Sequence, residues 1–81
     1  MASARAEELI RFTIASLVDE PEAVVVASAE RDGETVFEVT VAPDDAGKVI
    51  GKQGRIIKAV RILARAAGAL DGVDVHVEVL G

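Results

Sequence analysis

The sequence predicts an α+β fold with a three-stranded mixed sheet that carries its helices on one face. Three observations lead to this prediction. Apolar residues recur at helical spacing in two segments, short β-prone segments lie between them, and a hairpin signal joins the first two of these. The predicted order is helix, strand, strand, helix, turn, helix and strand. At 81 residues the chain is expected to form one domain over residues 1–81.

The first half predicts a helix followed by a hairpin. Residues 4–18 form the helix, with Ser3 as a suitable N-cap, and the Asp-Glu-Pro sequence at 19–21 ends it because a residue before proline disfavours the α conformation. Its apolar face is predicted to hold Leu9, Ile10, Thr13, Ile14, Leu17 and Val18. Residues 23–28 and 34–41 are predicted strands, and Asp32-Gly33 between them indicates an antiparallel hairpin.

The second half predicts two helical pieces and a last strand. Pro43 opens the first piece, with Asp44 and Asp45 as capping acids, and the second runs from Gly54 to a C-cap at Gly68. This second helix divides into a packing face of Ile56, Ile57, Val60, Leu63, Ala64 and Ala67 and a basic face of Arg55, Lys58, Arg61 and Arg65. Residues 73–79 alternate Val with polar residues, and this strand is expected to pair in parallel with the second.

Charge is strongly segregated along the chain. Residues 1–45 carry 3 basic and 11 acidic side chains (net −8), residues 46–70 carry 6 basic and no acidic ones (+6), and residues 71–81 carry 3 acidic ones (−3). A basic segment inside an acidic chain creates a local field that attracts anions. Charge alone is equally consistent with an ordinary solvated helix face.

The segment VIGKQGRII, residues 49–57, places a Gly-x-x-Gly turn inside this basic segment. Gly51 and Gly54 lack a Cβ, so the chain can bend sharply and a ligand can come close. The helix that begins there presents N–H groups and its positive dipole end to a phosphate. Two glycines also serve simply to connect helices, but the basic, helical context favours a nucleic-acid site. The predicted binding residues are Lys48, Ile50, Gly51, Lys52, Gln53, Gly54, Arg55, Ile57 and Lys58.

VIGKQGRII resembles the signature of KH domains, and residues 44–67 are similar to small, stand-alone bacterial KH proteins of the KhpA (YlqC) type. The resemblance extends over nearly the whole chain. It implies a type II KH fold that binds about four nucleotides of single-stranded RNA or DNA. It also implies that residues 51–54 hold the phosphate backbone while Ile50 and Ile57 flank the loop. Further implications are a homodimer, or a heterodimer with a larger KH-containing protein, and an RNA-chaperone or post-transcriptional role on many RNAs that influences cell-envelope growth.

Other function classes find little support in the sequence. The chain has no Cys, one His and no cluster of metal ligands, so neither an enzyme nor a metal or cofactor site is predicted. The P-loop pattern fails at its glycine spacing and at Gln53. The expected open sheet face is acidic and has no aromatic residues for base stacking, so RNA is expected on the helical side. With no signal peptide or membrane-spanning run, a cytoplasmic location is expected.

A second hypothesis is a protein-interaction module in which RNA binding is secondary. Phe12 lies off the apolar arc of the first helix, and Ile62 lies within the basic arc of the later one. Either side chain could serve a protein interface. Phe12 could equally fold back over the edge of the core, and the sequence leaves this alternative open.

Overall fold

The computed structural model describes residues 3–80, which form three α-helices, three strands and three short 3₁₀ turns. In chain order the main elements are α1 (Ala4–Leu17), β1 (Val25–Arg31), β2 (Glu34–Thr40), α2 (Ala46–Ile50), α3 (Arg55–Leu70) and β3 (Val75–Leu80). The 3₁₀ turns are Pro21–Ala23, Pro43–Asp45 and Lys52–Gly54. This confirms the predicted α+β class and order of elements.

Helix α1 begins as its sequence predicts. The hydroxyl of Ser3 accepts a hydrogen bond from the Ala6 N–H (3.1 Å), and it also donates one to the Asp71 carboxylate (2.6 Å). The start of α1 is thus attached to the turn that follows α3. The helix ends at Leu17, one residue before the predicted end, because Val18 is already extended (φ −100°, ψ 160°). Leu17 is partly exposed rather than packed in the apolar face.

Strands β1 and β2 form the predicted antiparallel hairpin. Asp32 (φ 52°) and Gly33 (φ 81°) both have positive φ, as a type I′ turn requires. Strand β1 begins at Val25 instead of residue 23, because the Pro21–Ala23 turn occupies the expected start, and it continues to the hairpin. In the register, Phe37 of β2 lies opposite Ser28 of β1.

Strand β3 pairs in parallel with β2, so the sheet order is β1-β2-β3 as expected. The predicted C-cap at Gly68 is wrong, because α3 continues to Leu70 and Asp71 occupies the C-cap position. Gly68 instead is buried, and a Cβ there would collide with the side chain of Val75. This glycine therefore allows α3 to pack closely on β3.

The core lies between the helices and one face of the sheet. Its buried apolar residues include Ile10, Ile14, Phe37, Val39, Val49, Ile57, Val60, Ala64, Val75 and Val77. The other sheet face carries polar side chains, among them Glu38 and His76, as the alternation predicts. Leu63 was expected on the packed face of α3 but is 51% exposed, because it lies at the edge of the apolar arc.

Candidate nucleic-acid interface

The turn between α2 and α3 is built from backbone conformations that suit glycine. Helix α2 ends at Ile50, and Gly51 then adopts φ 77° and ψ 173°. Gln53 (φ 57°, ψ 25°) and Gly54 (φ 71°, ψ 18°) are both left-handed, so the chain reverses within one short 3₁₀ turn. We call residues 51–54 the loop. Asparagine, aspartate and glycine are the usual residues in such conformations, which makes Gln53 an uncommon case.

The two loop glycines are needed for different reasons. A Cβ on Gly51 would lie 2.6 Å from Cγ1 of Ile56, closer than two carbon atoms can approach without a shift. A Cβ on Gly54 would meet only ordinary contacts at 3.9 Å. Gly51 is therefore required both by its φ and by the Ile56 side chain behind it, whereas Gly54 is required by its φ alone.

Helix α3 starts at the loop, where the N–H groups of Gly54 and Arg55 donate to the carbonyls of Gly51 and Lys52. Gly54 is the N-cap residue, and no side chain caps this end of the helix. The first amide groups of an α-helix have no partner within the helix, and they carry the positive end of its dipole. An anion that approaches the loop therefore meets the positive end of the helix dipole, and no carboxylate caps it.

Three of the predicted cations surround this end of α3 without an acidic partner. Lys52, Arg55 and Lys58 are exposed, and none of them forms an ion pair with the acids of residues 3–80. The Arg55 guanidinium donates a hydrogen bond to the amide oxygen of Gln53 (3.2 Å), which leaves its charge uncompensated. Gln53 itself is exposed at the tip of the loop. These side chains can therefore meet phosphates from solvent.

Lys48 lies in the same basic segment but is arranged differently. Its ammonium contacts the carboxylate of Asp19 and lies 3.4 Å from that of Asp45. The hydrogen bond that the ammonium donates to Asp19, together with the charges of both acids, raises the pKa of Lys48 in spite of its partial desolvation. Its charge is thus compensated within the protein, contrary to the expectation that it adds to the field at the loop.

The two predicted apolar binding residues have different environments. Ile50 is 39% exposed beside the loop, where a base can contact it. Ile57 is only 4% exposed and belongs to the core cluster, so it cannot offer surface to a ligand, and Val49 is fully buried in the same way. Ile57 was predicted as a binding residue, and its side chain faces the core rather than solvent. It supports the loop from beneath.

The basic face of α3 continues away from the loop towards β3. Arg61 donates a hydrogen bond from Nε to the backbone carbonyl of Val77 (3.3 Å), so it is anchored to the free edge of the sheet. Arg65 is exposed and lines the neighbouring cleft with His76. His76 Nε2 lies 2.6 Å from a carboxylate oxygen of Glu34. Most groups of this cleft are thus already paired with one another.

Alternatives to a nucleic-acid site gain nothing from the geometry. Within residues 3–80 no group of three or more His, Cys, Asp or Glu side chains could hold a metal ion. None of the helices described in this range is long and apolar enough to cross a bilayer.

Asp45 does not cap α2 with its side chain, so that part of the capping prediction is wrong. Its carboxylate instead accepts hydrogen bonds from the backbone N–H groups of Asp19 (3.2 Å) and Glu20 (3.0 Å).

Sequence reasoning missed the contacts of two residues near the loop. Ile56 was assigned only to the packing face of α3, yet its side chain lies directly behind Gly51. Asp45 was read as a helix cap, yet it joins α2 to the end of α1. Burial does signal the second case, because an acid that is 2% exposed needs partners, but burial cannot be read from the sequence.

Comparison with known proteins agrees with this fold and loop. Residues 7–79 match the family model described as "KhpA/KhpB, KH domain". The chain is 42% identical to the RNA-binding protein KhpA of Oceanobacillus iheyensis over 72 residues, which cover 89% of this chain and 96% of the relative. It is 43% identical to the RNA-binding protein KhpA of Clostridium perfringens over 74 residues, covering 91% of this chain and 99% of the relative.

Solved structures of the protein Era contain a similar fold. Era in complex with MgGDPNP and nucleotides 1506–1542 of 16S ribosomal RNA superposes with a TM-score of 0.63 at 26% identity. The match covers 91% of this chain but only 28% of the Era chain. Together with the family match over residues 7–79, it confirms the predicted type II KH fold. The chain belongs to the KhpA/KhpB family of KH-domain proteins.

Proposed function

We propose that this protein binds single-stranded RNA with low sequence specificity and holds its phosphate backbone at the loop. One observation carries the proposal. Gly51 and Gly54 open the loop at an uncapped helix end, and Lys52, Arg55 and Lys58 surround it without acidic partners among residues 3–80. This combination offers the positive end of a helix dipole, uncompensated charge and close access to the backbone, each of which favours a phosphate contact.

The relatives support RNA as the ligand. The curated KhpA proteins are named RNA-binding proteins, and the family is not one of enzymes. One of the similar Era structures contains ribosomal RNA, although this chain corresponds to only 28% of Era. KH domains as a class bind about four nucleotides of single-stranded nucleic acid through a Gly-x-x-Gly loop.

The contacts available at the loop favour weak binding with little sequence selection. Backbone amides and cations recognise phosphates, which are the same in every sequence, and Ile50 is the one predicted apolar residue there that is exposed. Such binding fits an RNA chaperone or post-transcriptional regulator that acts on many RNAs. It also predicts strong salt dependence, with log K falling against log salt by about 0.7 for each phosphate neutralised.

Fluorescence anisotropy with a short unstructured RNA, at low and moderate salt, tests the proposal. The double variant Lys52→Asp and Gln53→Asp keeps both glycines but reverses the charge at the loop tip. We expect salt-sensitive binding by the wild type and its loss in this variant. Arg11→Asp with Thr40→Asp is a matched control, because it changes the formal charge equally at exposed positions on α1 and β2.

Circular dichroism melting shows whether both double variants remain folded. Absent wild-type binding, or equal binding by the loop variant, excludes the loop as the RNA site. Loss of binding in both variants means that total charge, rather than the loop, controls RNA affinity.

A cytoplasmic location, where RNA is available, and one KH domain over residues 1–81 belong to the same proposal. A single cooperative melting transition is the expected result for one domain.

A second candidate function is association with another KH protein, as a homodimer or with a larger KH-containing partner. The observation that favours it is exposed apolar surface on two helices that pack side by side, α1 and α3. Phe12 of α1 is 75% exposed, and α3 exposes Ile62 (65%), Leu63 (51%) and Leu70 (72%) within about 100° of arc. Phe12 thus does not fold back over the core. Exposed apolar surface of this kind is typical of interaction sites.

Sedimentation velocity over a range of concentrations tests this association. Phe12→Ser should convert an associated wild type to a monomer that remains folded, because the side chain is 75% exposed and contributes little to the core. Arg11→Ser, at the neighbouring exposed position, should leave association intact. A wild type that stays monomeric at all concentrations, alone and with a KH-containing partner, would contradict the candidate.

A further inference from the structure

Asp45 is a buried acid that is not among the proposed RNA contacts. It is 2% exposed, at the junction between the Pro43–Asp45 turn and α2. Its two carboxylate oxygens accept hydrogen bonds from the consecutive backbone N–H groups of Asp19 (3.2 Å) and Glu20 (3.0 Å). Lys48 completes the cluster at 3.4 Å. The acid therefore fastens α2 to the segment that follows α1, more than twenty residues earlier in the chain.

This connection matters because α2 is too short to hold its own position. It has five residues, whereas isolated helices shorter than roughly 12 residues are marginal in water. Two buried side chains attach it to the rest of the protein, Asp45 at its start and Val49 one turn later. Positions four residues apart lie on the same side of a helix. The loop begins at Gly51, two residues after the second attachment.

We propose that Asp45 is a positioning residue for the RNA-binding loop. With both attachments in place, α2 cannot rotate about Val49, and the loop is held in its binding conformation before RNA arrives. The inference rests on the proposed function, since it concerns the same loop, but it adds a residue that no RNA atom needs to touch. The apparent affinity for a ligand falls in proportion to the fraction of molecules whose site is in the competent conformation.

The same geometry assigns Lys48 to this cluster and not to the phosphate contacts. Its ammonium lies between the carboxylates of Asp19 and Asp45, and the cations nearer the loop tip have no such partners within residues 3–80. A cation that contacts phosphate contributes to the salt dependence of binding, whereas one that is already ion-paired releases no counterion when RNA binds. Lys48 and Lys52 should therefore behave differently when each is replaced by Met.

Asp45→Asn and the adjacent Asp44→Asn form the matched pair for the test. Both remove one negative charge, but Asp44 is exposed and makes none of the hydrogen bonds of Asp45. RNA affinity is measured by anisotropy at a temperature where every variant is fully folded, and hydrogen exchange follows the amides of residues 51–55. We expect Asp45→Asn to bind roughly threefold to tenfold more weakly with an unchanged salt slope. Its loop amides should exchange faster, while Asp44→Asn matches the wild type.

A purely structural role for Asp45 gives a different result. Its loss then lowers the melting temperature but leaves the affinity of the folded protein unchanged, and that outcome overturns the inference. In this case the proposed function still holds if the wild type binds RNA and the Lys52→Asp and Gln53→Asp variant does not. Failure of the wild type to bind at all removes the proposed function and this inference together.

If Asp45→Asn does not fold, the variants Lys52→Met and Lys48→Met test whether Lys48 and Asp45 belong to one positioning cluster. Lys52→Met should make the salt slope shallower by about 0.7, the contribution of one phosphate on a single strand. Lys48→Met keeps both backbone hydrogen bonds to Asp45 and should leave the slope unchanged. An equal decrease in both variants shows that Lys48 contacts phosphate, which contradicts the assignment of Lys48 and Asp45 to one positioning cluster.

Discussion

The loop side of the molecule and the open face of its sheet both carry charged side chains, but they arrange them in opposite ways. On the open face, Arg31 lies within ion-pair distance of Glu38 (3.0 Å) and Glu78 (3.5 Å), and His76 lies beside Glu34. Around the loop, Lys52, Arg55 and Lys58 have no acidic partner among residues 3–80. Charges that are paired internally leave little field for a ligand, whereas unpaired ones of a single sign add to it.

The comparison explains how a protein with a net charge of −5 can offer an anion site. Its acids are concentrated outside residues 46–70, and in the fold several of them are used to pair the cations that lie away from the loop. Lys48 is the exception within the basic segment, because it is paired in the manner of the open face. The position of the carboxylates, more than the number of cations, therefore defines the candidate interface.

The largest expected effect comes from changing the shape of the loop. Gly51→Ala places a Cβ against Ile56 and forces a residue with a side chain into φ 77°, so we expect a loss of about 3 kcal/mol in the free energy of unfolding. Gly54→Ala has only the left-handed conformation to accommodate and should lose about 1 kcal/mol. Urea denaturation of both variants measures the difference. Equal losses would show that the Ile56 contact does not constrain the loop.

A second prediction concerns the positive charges beside the loop, which can be removed without changing the loop backbone. Replacing Arg55 and Lys58 together by Gln should weaken RNA binding roughly tenfold and make the salt slope shallower by about 1.4, if each cation neutralises one phosphate. A control on the open face is Arg31→Gln, which removes one positive charge away from the loop and should leave both quantities unchanged. An unaltered slope in the double variant would contradict the assignment of these cations to phosphate.

The partner of Lys48, the buried Asp45, predicts that the stability of the protein depends on pH. Burial by itself would raise the pKa of Asp45, but the hydrogen bonds from Asp19 and Glu20 and the Lys48 ammonium hold it below its ordinary value. A carboxylate with a lowered pKa stabilises the folded state above its unfolded pKa of about 4, and that stability is lost as the pH falls through the folded value. Thermal melts of wild type and Asp45→Asn should therefore differ most near neutral pH and converge below about pH 4. A constant difference over this range would contradict the predicted linkage.

The sequence predicted the elements of the site whose requirements are local. Gly51, Gly54 and the cations around them follow from a turn and a helix start that are contiguous in the chain. Hydrogen bonds between distant segments could not be predicted from the sequence, because nothing near Asp45 or Lys48 in the chain identifies Asp19 as a neighbour. Ile57 was assigned both to the packed face of α3 and to the RNA surface, and one side chain cannot serve both. Its burial in the core decides for packing.

The smallest expected effect lies on the open face. Exposed ion pairs contribute about 0–1 kcal/mol, and Arg31 is 53% exposed, so Arg31→Gln should reduce the free energy of unfolding by less than about 1 kcal/mol. The loss should nevertheless depend on salt. Glu38 and Glu78 lie directly opposite each other on neighbouring strands, and without Arg31 their like charges repel at close range.

Salt screens this repulsion, so urea denaturation of Arg31→Gln should show a larger loss at low ionic strength than at high. The same variant makes the open face more negative but leaves the loop unchanged, and its RNA affinity should equal that of the wild type. A loss of RNA binding in Arg31→Gln would mean that RNA also reaches the open face. The contrast between the two surfaces would then no longer explain where an acidic protein binds an anion.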